Sequence, residues 1–244
     1  MTEGEVLIKS RKRVQQHGEV FTPKDVVDSM VSLPGLEEAL LRPETTVLEP
    51  GVGEGAFLVN ILQRRLQQTL AKFAGDIARF ESFALYNLST LYGIELLEDN
   101  TKKCVMNLYE TFLDSYKQVC QLLHFHPKDK VKRSAQTIIS ANIVQGDFIK
   151  RVQANGGPII LSEWKPSRIT RRTKNIILTR TEYSLDEIYS HKQKEDGEIF
   201  SHLSITRQLH FDDVPEANQS VVPEYRYVPA HITEVYKQET EEMP

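Results

Sequence analysis

Apolar and polar positions along this chain switch between helical and strand periods. Val26, Val27, Met30 and Val31 recur at helical spacing behind Thr22 and Pro23. A threonine cap followed by proline at the first helical position predicts a helix there, ending near Pro34. Residues 45–50 are short, β-rich and followed at once by glycines, which predicts a buried strand ending in a turn. Phe57, Leu58, Ile61, Leu62, Leu66 and Leu70 then mark the face of a strong amphipathic helix. The pattern goes on to predict a helix over about 76–89, a strand over 91–96 and a helix from 98 to about 124. Residues 127–133 read as a charged loop, 137–148 as a strand ending in a turn, and 158–164 as a fourth strand. Beyond Pro166, residues 175–183 read as a strand and 184–191 as a helix start. Residues 192–224 are polar with few periodic cues, 225–238 read as a last strand and tail, and the acidic 239–244 as a frayed end.

Strand, glycine turn, helix, strand, helix, strand, strand is an α/β alternation, which predicts a mostly parallel sheet with helices on both faces. A length of 244 residues fits one medium domain with appendages. The expected division is a basic N-terminal arm over 1–18, which carries Lys9, Arg11, Lys12 and Arg13, a main domain over 19–190 and a polar C-terminal extension over 191–244. No apolar run reaches the roughly 18 residues a bilayer demands, and the charged N-terminus lacks the apolar stretch of a secretory signal. Cys104 and Cys120 sit within a helical pattern rather than at a metal-ligand spacing. Two buried thiols in a reducing cytoplasm, with no metal site, is the expectation. A net charge of −4 excludes coating nucleic acid by bulk charge and leaves room for a local basic patch.

Three places carry candidate chemistry. The first is Glu49-Pro50-Gly51-Val52-Gly53-Glu54-Gly55. Glycines after a strand allow a sharp turn and the close approach of a ligand. The spacing G-x-G-x-G fits a dinucleotide fingerprint poorly, and no Gly-Lys-Ser/Thr follows to make a phosphate-binding loop. The second is Glu95, at the end of the second strand, where a carboxylate is placed to accept both hydroxyls of a ribose. The third is Asp147-Phe148, at the end of the next strand: the acid suits an adenine amino group and the ring an adenine face. All three lie at carboxyl ends of successive strands, where open α/β sheets bind ligands.

HGEVFTP (17–23), LEPGVGEGAFL (48–58), YGIELLEDN (92–100) and VQGDF (144–148) resemble, in order, motifs of the adenine-specific amino-methyltransferases of restriction–modification systems. The resemblance runs from about Gly18 to Phe148. It implies a Rossmann-like class I methyltransferase fold and S-adenosylmethionine as cofactor. It further implies that Thr22, Glu49, Pro50, Gly51, Gly53 and Gly55 hold the methionine moiety, Glu95 the ribose, and Asp147 and Phe148 the adenine. The family's catalytic motif, Asn or Asp followed by Pro-Pro-Tyr or Pro-Pro-Phe, does not occur in this sequence. At the equivalent place stand Glu163-Trp164-Lys165-Pro166. Glu163 can accept from an amino group and Trp164 offers a stacking face for an extruded base.

Arg168, Arg171, Arg172, Lys174 and Arg180 form a basic strip beside that place, a candidate contact for DNA phosphates. The expected function is methyl transfer from S-adenosylmethionine to the adenine amino group in DNA, with a specificity or restriction subunit as partner and no membrane. Two alternatives stay open: a catalytically inactive cofactor-binding subunit of a DNA modification or phage-defence complex, and a methyltransferase acting on a small molecule or protein.

Overall fold

The computed structural model describes residues 8–170, 172–200 and 224–243. Ahead of the first strand lie α1 (Arg11–His17), α2 (Lys24–Val31) and α3 (Leu36–Leu40). Strand–turn–helix units follow. β1 (Val47–Pro50) turns through the glycines into α4 (Ala56–Lys72), and α5 (Ile77–Ser89) returns to β2 (Leu91–Glu95). α6 (Glu98–Leu122) and α7 (Asp129–Asn142) lead to β3 (Ile143–Gln145).

β1, β2 and β3 form a parallel sheet in that order, with Glu49 opposite Gly93 and Gly93 opposite Ile143. Every residue of the central β2 is buried, as befits a parallel strand covered on both faces. The adjoining core gathers Leu58, Leu62 and Leu66 of α4, Phe80 of α5, Phe112 and Tyr116 of α6, and Ile138 of α7. Arg65 of α4 is also buried, and burial pulls its guanidinium down to about 10. It donates to the carbonyls of Leu40 and Thr45 at 2.7 and 2.9 Å and to Thr90 Oγ1 at 2.8 Å. A buried cation survives on such a set of acceptors, and here it pins the segment that enters β1.

The architecture departs from the sequence expectation in five places. β1 is not a buried strand: it forms an edge of the parallel sheet and leaves Leu48 and Pro50 exposed. The fourth strand, β4 (Ile160–Pro166), does not extend the parallel sheet. It pairs antiparallel with β5 (Ile177–Ser184), which pairs antiparallel with β7 (Ala230–His231). Residues 137–142 are helical: α7 starts in the stretch read as a charged loop, and only 143–145 form the strand. The buried face Val131, Ala135, Ile138, Ile139 and Asn142 has helical spacing throughout, so the long-range period overrides the local β-rich run. Pro23, not Thr22, holds the cap position of α2, and no side-chain bond closes that cap. The acidic end does not fray: β8 (Thr240–Glu242) pairs with β6 (Tyr225–Tyr227).

The C-terminal residues pack onto the domain. The 3₁₀ helix Ile232–Lys237 lies against α7 and buries Ile232 and Val235. α8 (Leu185–Tyr189) follows β5 directly and is closed by a capping box between Ser184 and Glu187. Among the described residues, no helix is long and apolar enough to cross a membrane. Cys104 and Cys120 are buried free thiols.

Candidate functional site

The glycine turn is fastened to the tip of β2. The N–H groups of Gly51 and Val52 both donate to the Ile94 carbonyl, at 2.7 and 3.1 Å. Gly53 N–H donates to Glu95 Oε2 at 2.8 Å. Gly53 has φ +56°, and a Cβ there would stand 3.5 Å from the Phe21 ring. Gly55 serves packing instead: a Cβ would lie 2.7 Å from Cys104 Sγ, so the glycine lets α4 start against α6. Pro50 ends β1 at an exposed position.

A cleft of about 900 Å³ opens over this turn. Phe21, Thr22, Glu49, Gly51, Gly53 and Glu54 line it, together with polar side chains of α4 and α6, among them Gln63, Asn107 and Thr111. Glu49 is its most perturbed group. Burial first, and the charge of Glu95 second, push its carboxyl up to about 8. Its Oε2 is buried without a hydrogen-bond partner. A stranded carboxylate oxygen is costly in a folded protein and marks a group that waits for a donor or a cation.

Glu95 is buried below the turn, 6% exposed. Besides Gly53, it accepts from Leu97 N–H at 3.0 Å. Each carboxylate oxygen carries two lone pairs, so these bonds hold the group while leaving acceptor capacity. Gly146 N–H donates to the Glu95 carbonyl at 2.8 Å, which sets the exit of β3 beside the tip of β2. There Asp147 accepts from Lys150 N–H at 3.0 Å and pairs with Lys150 Nζ at 3.2 Å. These bonds hold its carboxyl below the usual range. Phe148 is half-buried against the core. The structure therefore brings Thr22, Glu49, Gly51 and Gly53 into one cleft, ties Glu95 to it by a bond, and sets Asp147 and Phe148 one strand farther along.

Glu163 and Trp164 lie elsewhere, in the middle of the antiparallel β4–β5 ladder opposite Thr181 and Arg180. Neither lines the cleft. Trp164 is 4% exposed, and its indole N–H donates to Asn142 Oδ1 at 2.8 Å. The ring is a core residue with its polar handle satisfied, and a base can stack on it only after it leaves the core. Glu163 is exposed; burial first, and the charge of Glu163 second, push the Tyr183 hydroxyl above its usual range. Lys165 pairs with Asp196 at 2.8 Å rather than with Glu163.

The basic strip divides. Arg180 is consumed internally: it bonds Ser162 Oγ, Gln238 and Glu182 at 3.0, 2.8 and 2.9 Å, and lies over the rings of Trp164 and Tyr227. Arg168, Arg172 and Lys174 are exposed, with no ion-pair partner among the described residues. Arg171 lies outside the described residues.

Sequence reasoning missed a polar cluster at the rim of the cleft. Lys9 and Arg13 of the N-terminal arm meet Glu19, Glu54, Asp99 and Asn100 there. No local pattern announces contacts between residues some 90 positions apart, such as Lys9 with Asp99.

The sequence pattern of the family described as N-6 DNA methylase matches residues 5–141. No curated protein and no solved structure matches the chain. The matched segment holds Thr22, the turn from Glu49 to Gly55, and Glu95; it stops short of Asp147, Phe148, Glu163 and Trp164. With more than half of the sequence matched, cleft and glycine turn included, the chain belongs to the N-6 DNA methylase family.

Proposed function

We propose that this chain binds S-adenosylmethionine at the carboxyl ends of β1 and β2. It would serve methyl transfer to the exocyclic amino group of adenine in DNA, within a cytoplasmic restriction–modification system. A Rossmann-like class I methyltransferase arrangement fits the parallel β1–β2–β3 sheet and the ligand position at its strand tips. The observation that carries the reading is the buried, unpartnered Oε2 of Glu49, a residue that lines the cleft over the glycine turn.

The residues present suit this cofactor. When bound, it supplies an electrophilic methyl group on a cationic sulfur. Glu49 offers negative charge to the cationic methionine end, beside Thr22 and the glycine turn. Glu95 accepts the ribose hydroxyls, and Asp147 and Phe148 take the adenine. Glu163, exposed on β4, is the acceptor proposed for the target amino group, whereas Trp164, buried and bonded to Asn142, would have to leave the core before it could clamp an extruded base. Positioning supplies much of the rate in such a transfer, because an amine needs only in-line approach to the methyl carbon. Arg168, Arg171, Arg172 and Lys174 are the proposed phosphate contacts.

A second reading has its own observation. Trp164 is locked in the core by Asn142, and no Asn/Asp-Pro-Pro-aromatic segment occurs in the chain. The chain then works as a cofactor-binding subunit without its own catalytic tetrapeptide, alongside a specificity or restriction subunit. Incubation with methyl-labelled S-adenosylmethionine and mixed-sequence DNA separates the two. Label in adenine that Glu163→Ala abolishes supports the enzyme. Cofactor binding with no label transferred, with or without neighbouring gene products, supports the subunit.

A further inference from the structure

The basic arm spends its charge inside the molecule. Lys9 Nζ reaches Glu54 Oε1 at 2.7 Å, Asp99 Oδ2 at 3.1 Å and Asn100 Oδ1 at 2.5 Å. An ammonium has three protons, so its donor set is complete. It also lies 5.5 Å from the centroid of Phe21, a wall of the cleft. Arg13 forks onto two carboxylates: Nη2 donates to Glu19 Oε1 at 2.7 Å, and Nη1 and Nη2 donate to Asp99 at 3.0 Å each. Glu54 belongs to the glycine turn and Asp99 to the first turn of α6, so Lys9 straps the turn to the helix that follows β2, while Arg13 ties that helix to Glu19. A DNA phosphate would have to displace three carboxylates to reach them.

Behind the strap lies Asn100, 1% exposed. Its Oδ1 accepts from Lys9, while its Nδ2 donates to Glu19 Oε1 at 2.7 Å and stands 3.5 Å from Glu95 Oε1. A reversed amide would set an NH₂ against the ammonium and an oxygen against two carboxylates. Lys9 on one side and the two carboxylates on the other together fix which way Asn100 points, and Asn100 presents a donor to Glu95. Bonds to ionised groups of this kind are the strong ones, and networks around a buried amide exceed isolated surface pairs.

We propose that Lys9 and Arg13 are positioning residues for the nucleoside end of the cofactor: they strap the arm across the rim of the cleft and, through Asn100, hold the Glu95 carboxylate in the orientation that accepts a ribose. The inference rests on the reading that this cleft takes S-adenosylmethionine.

Calorimetric titration of the full chain with S-adenosylmethionine, adenosine and methionine, in turn, tests it. Lys9→Met and Arg13→Gln weaken S-adenosylmethionine and adenosine by the same factor, about tenfold for one charge-assisted bond network. Methionine affinity stays unchanged. Lys9→Arg keeps a cation within reach of Glu54 and Asp99 and restores most of the adenosine affinity. In a Glu95→Gln background, Lys9→Met has little further effect, because the two residues act in series. A lowered thermal midpoint with adenosine affinity unchanged makes the strap merely structural and overturns the proposal. So does equal loss of adenosine and methionine binding. If the wild-type chain binds no S-adenosylmethionine, the reading beneath it fails as well.

Discussion

Two regions of this molecule hold buried polar and aromatic groups, and they treat them oppositely. In the β4–β5 ladder each such group is consumed by a neighbour: Trp164 by Asn142, and Arg180 by Glu182, Ser162 and Gln238. At the tips of β1 and β2 the groups are held but not exhausted. Glu95 keeps acceptor capacity beyond its backbone bonds, and Glu49 keeps a buried oxygen with no partner at all. Ser82, Asn87 and Ser134 also keep a buried oxygen without a partner, but of these only Glu49 lines the cleft, where a ligand can supply the missing donor. The contrast supports the proposed ligand position in the parallel half and sets Trp164, though not the exposed Glu163, among the consumed groups of the other.

The sharpest break of this contrast comes from two glycines in one turn. Gly53→Val obstructs the Phe21 side of the cleft and strains a residue at φ +56°. It abolishes S-adenosylmethionine binding, a loss above about 100-fold, in a protein that still folds. Gly55→Val sets a side chain into Cys104, 2.7 Å from the ideal Cβ, and destabilises the fold itself. Calorimetry and thermal melts of both variants check the division; a fully binding Gly53→Val would remove the turn from the site.

Trp164→Ala probes the other half. Loss of a buried indole and its bond to Asn142 costs about 3–5 kcal/mol in urea unfolding. Cofactor affinity of the folded fraction stays as it was. A variant of full stability that has lost only methyl transfer would restore Trp164 as a stacking residue.

Glu49 gives the contrast a pH signature. Its folded value, about 8, lies above the ordinary carboxylate value of 4.5. The folded protein therefore binds more protons than the unfolded chain between those values. The contribution of Glu49 to the stability of the unliganded protein is present below pH 4.5 and is lost as pH rises through about 8. A cationic ligand prefers the ionised form, so affinity climbs over the same window. Glu49→Gln flattens the stability profile across it and weakens the cation by about tenfold at pH 8, as loss of a buried charge partner predicts. A wild-type profile identical to that of Glu49→Gln would contradict this role.

The smallest effect concerns DNA. Replacing Arg168, Arg172 and Lys174 by Gln lowers the slope of log affinity against log salt by about one for each phosphate no longer neutralised. Arg180→Gln leaves that slope alone and lowers stability instead. Equal slopes in all variants would make the strip a solvated loop.

What the sequence revealed followed from range. β1, α4 and β2 were legible because local period and glycines act within a few residues. The end of β3 was legible in Gly146-Asp147-Phe148, yet its start was not, because Ile138 and Ile139 look β-rich until Val131 and Ala135 are counted with them. The antiparallel sense of β4 was hidden, since it depends on pairing with residues 178–184 rather than on its own pattern. The strap of Lys9 and Arg13 was hidden for the same reason: a run of basic residues reads alike whether its partners are phosphates or carboxylates far along the chain.

The central claim is that the tips of β1 and β2 form the cofactor site, with Glu95 on the ribose. Titration of S-adenosylmethionine into the wild-type chain and into Glu95→Ala tests it most directly. The account predicts saturable binding by the wild type and a loss of about 10- to 100-fold in the variant, the cost of stranding one set of buried hydrogen bonds. Equal affinity of the two proteins, or no binding by either, would contradict it.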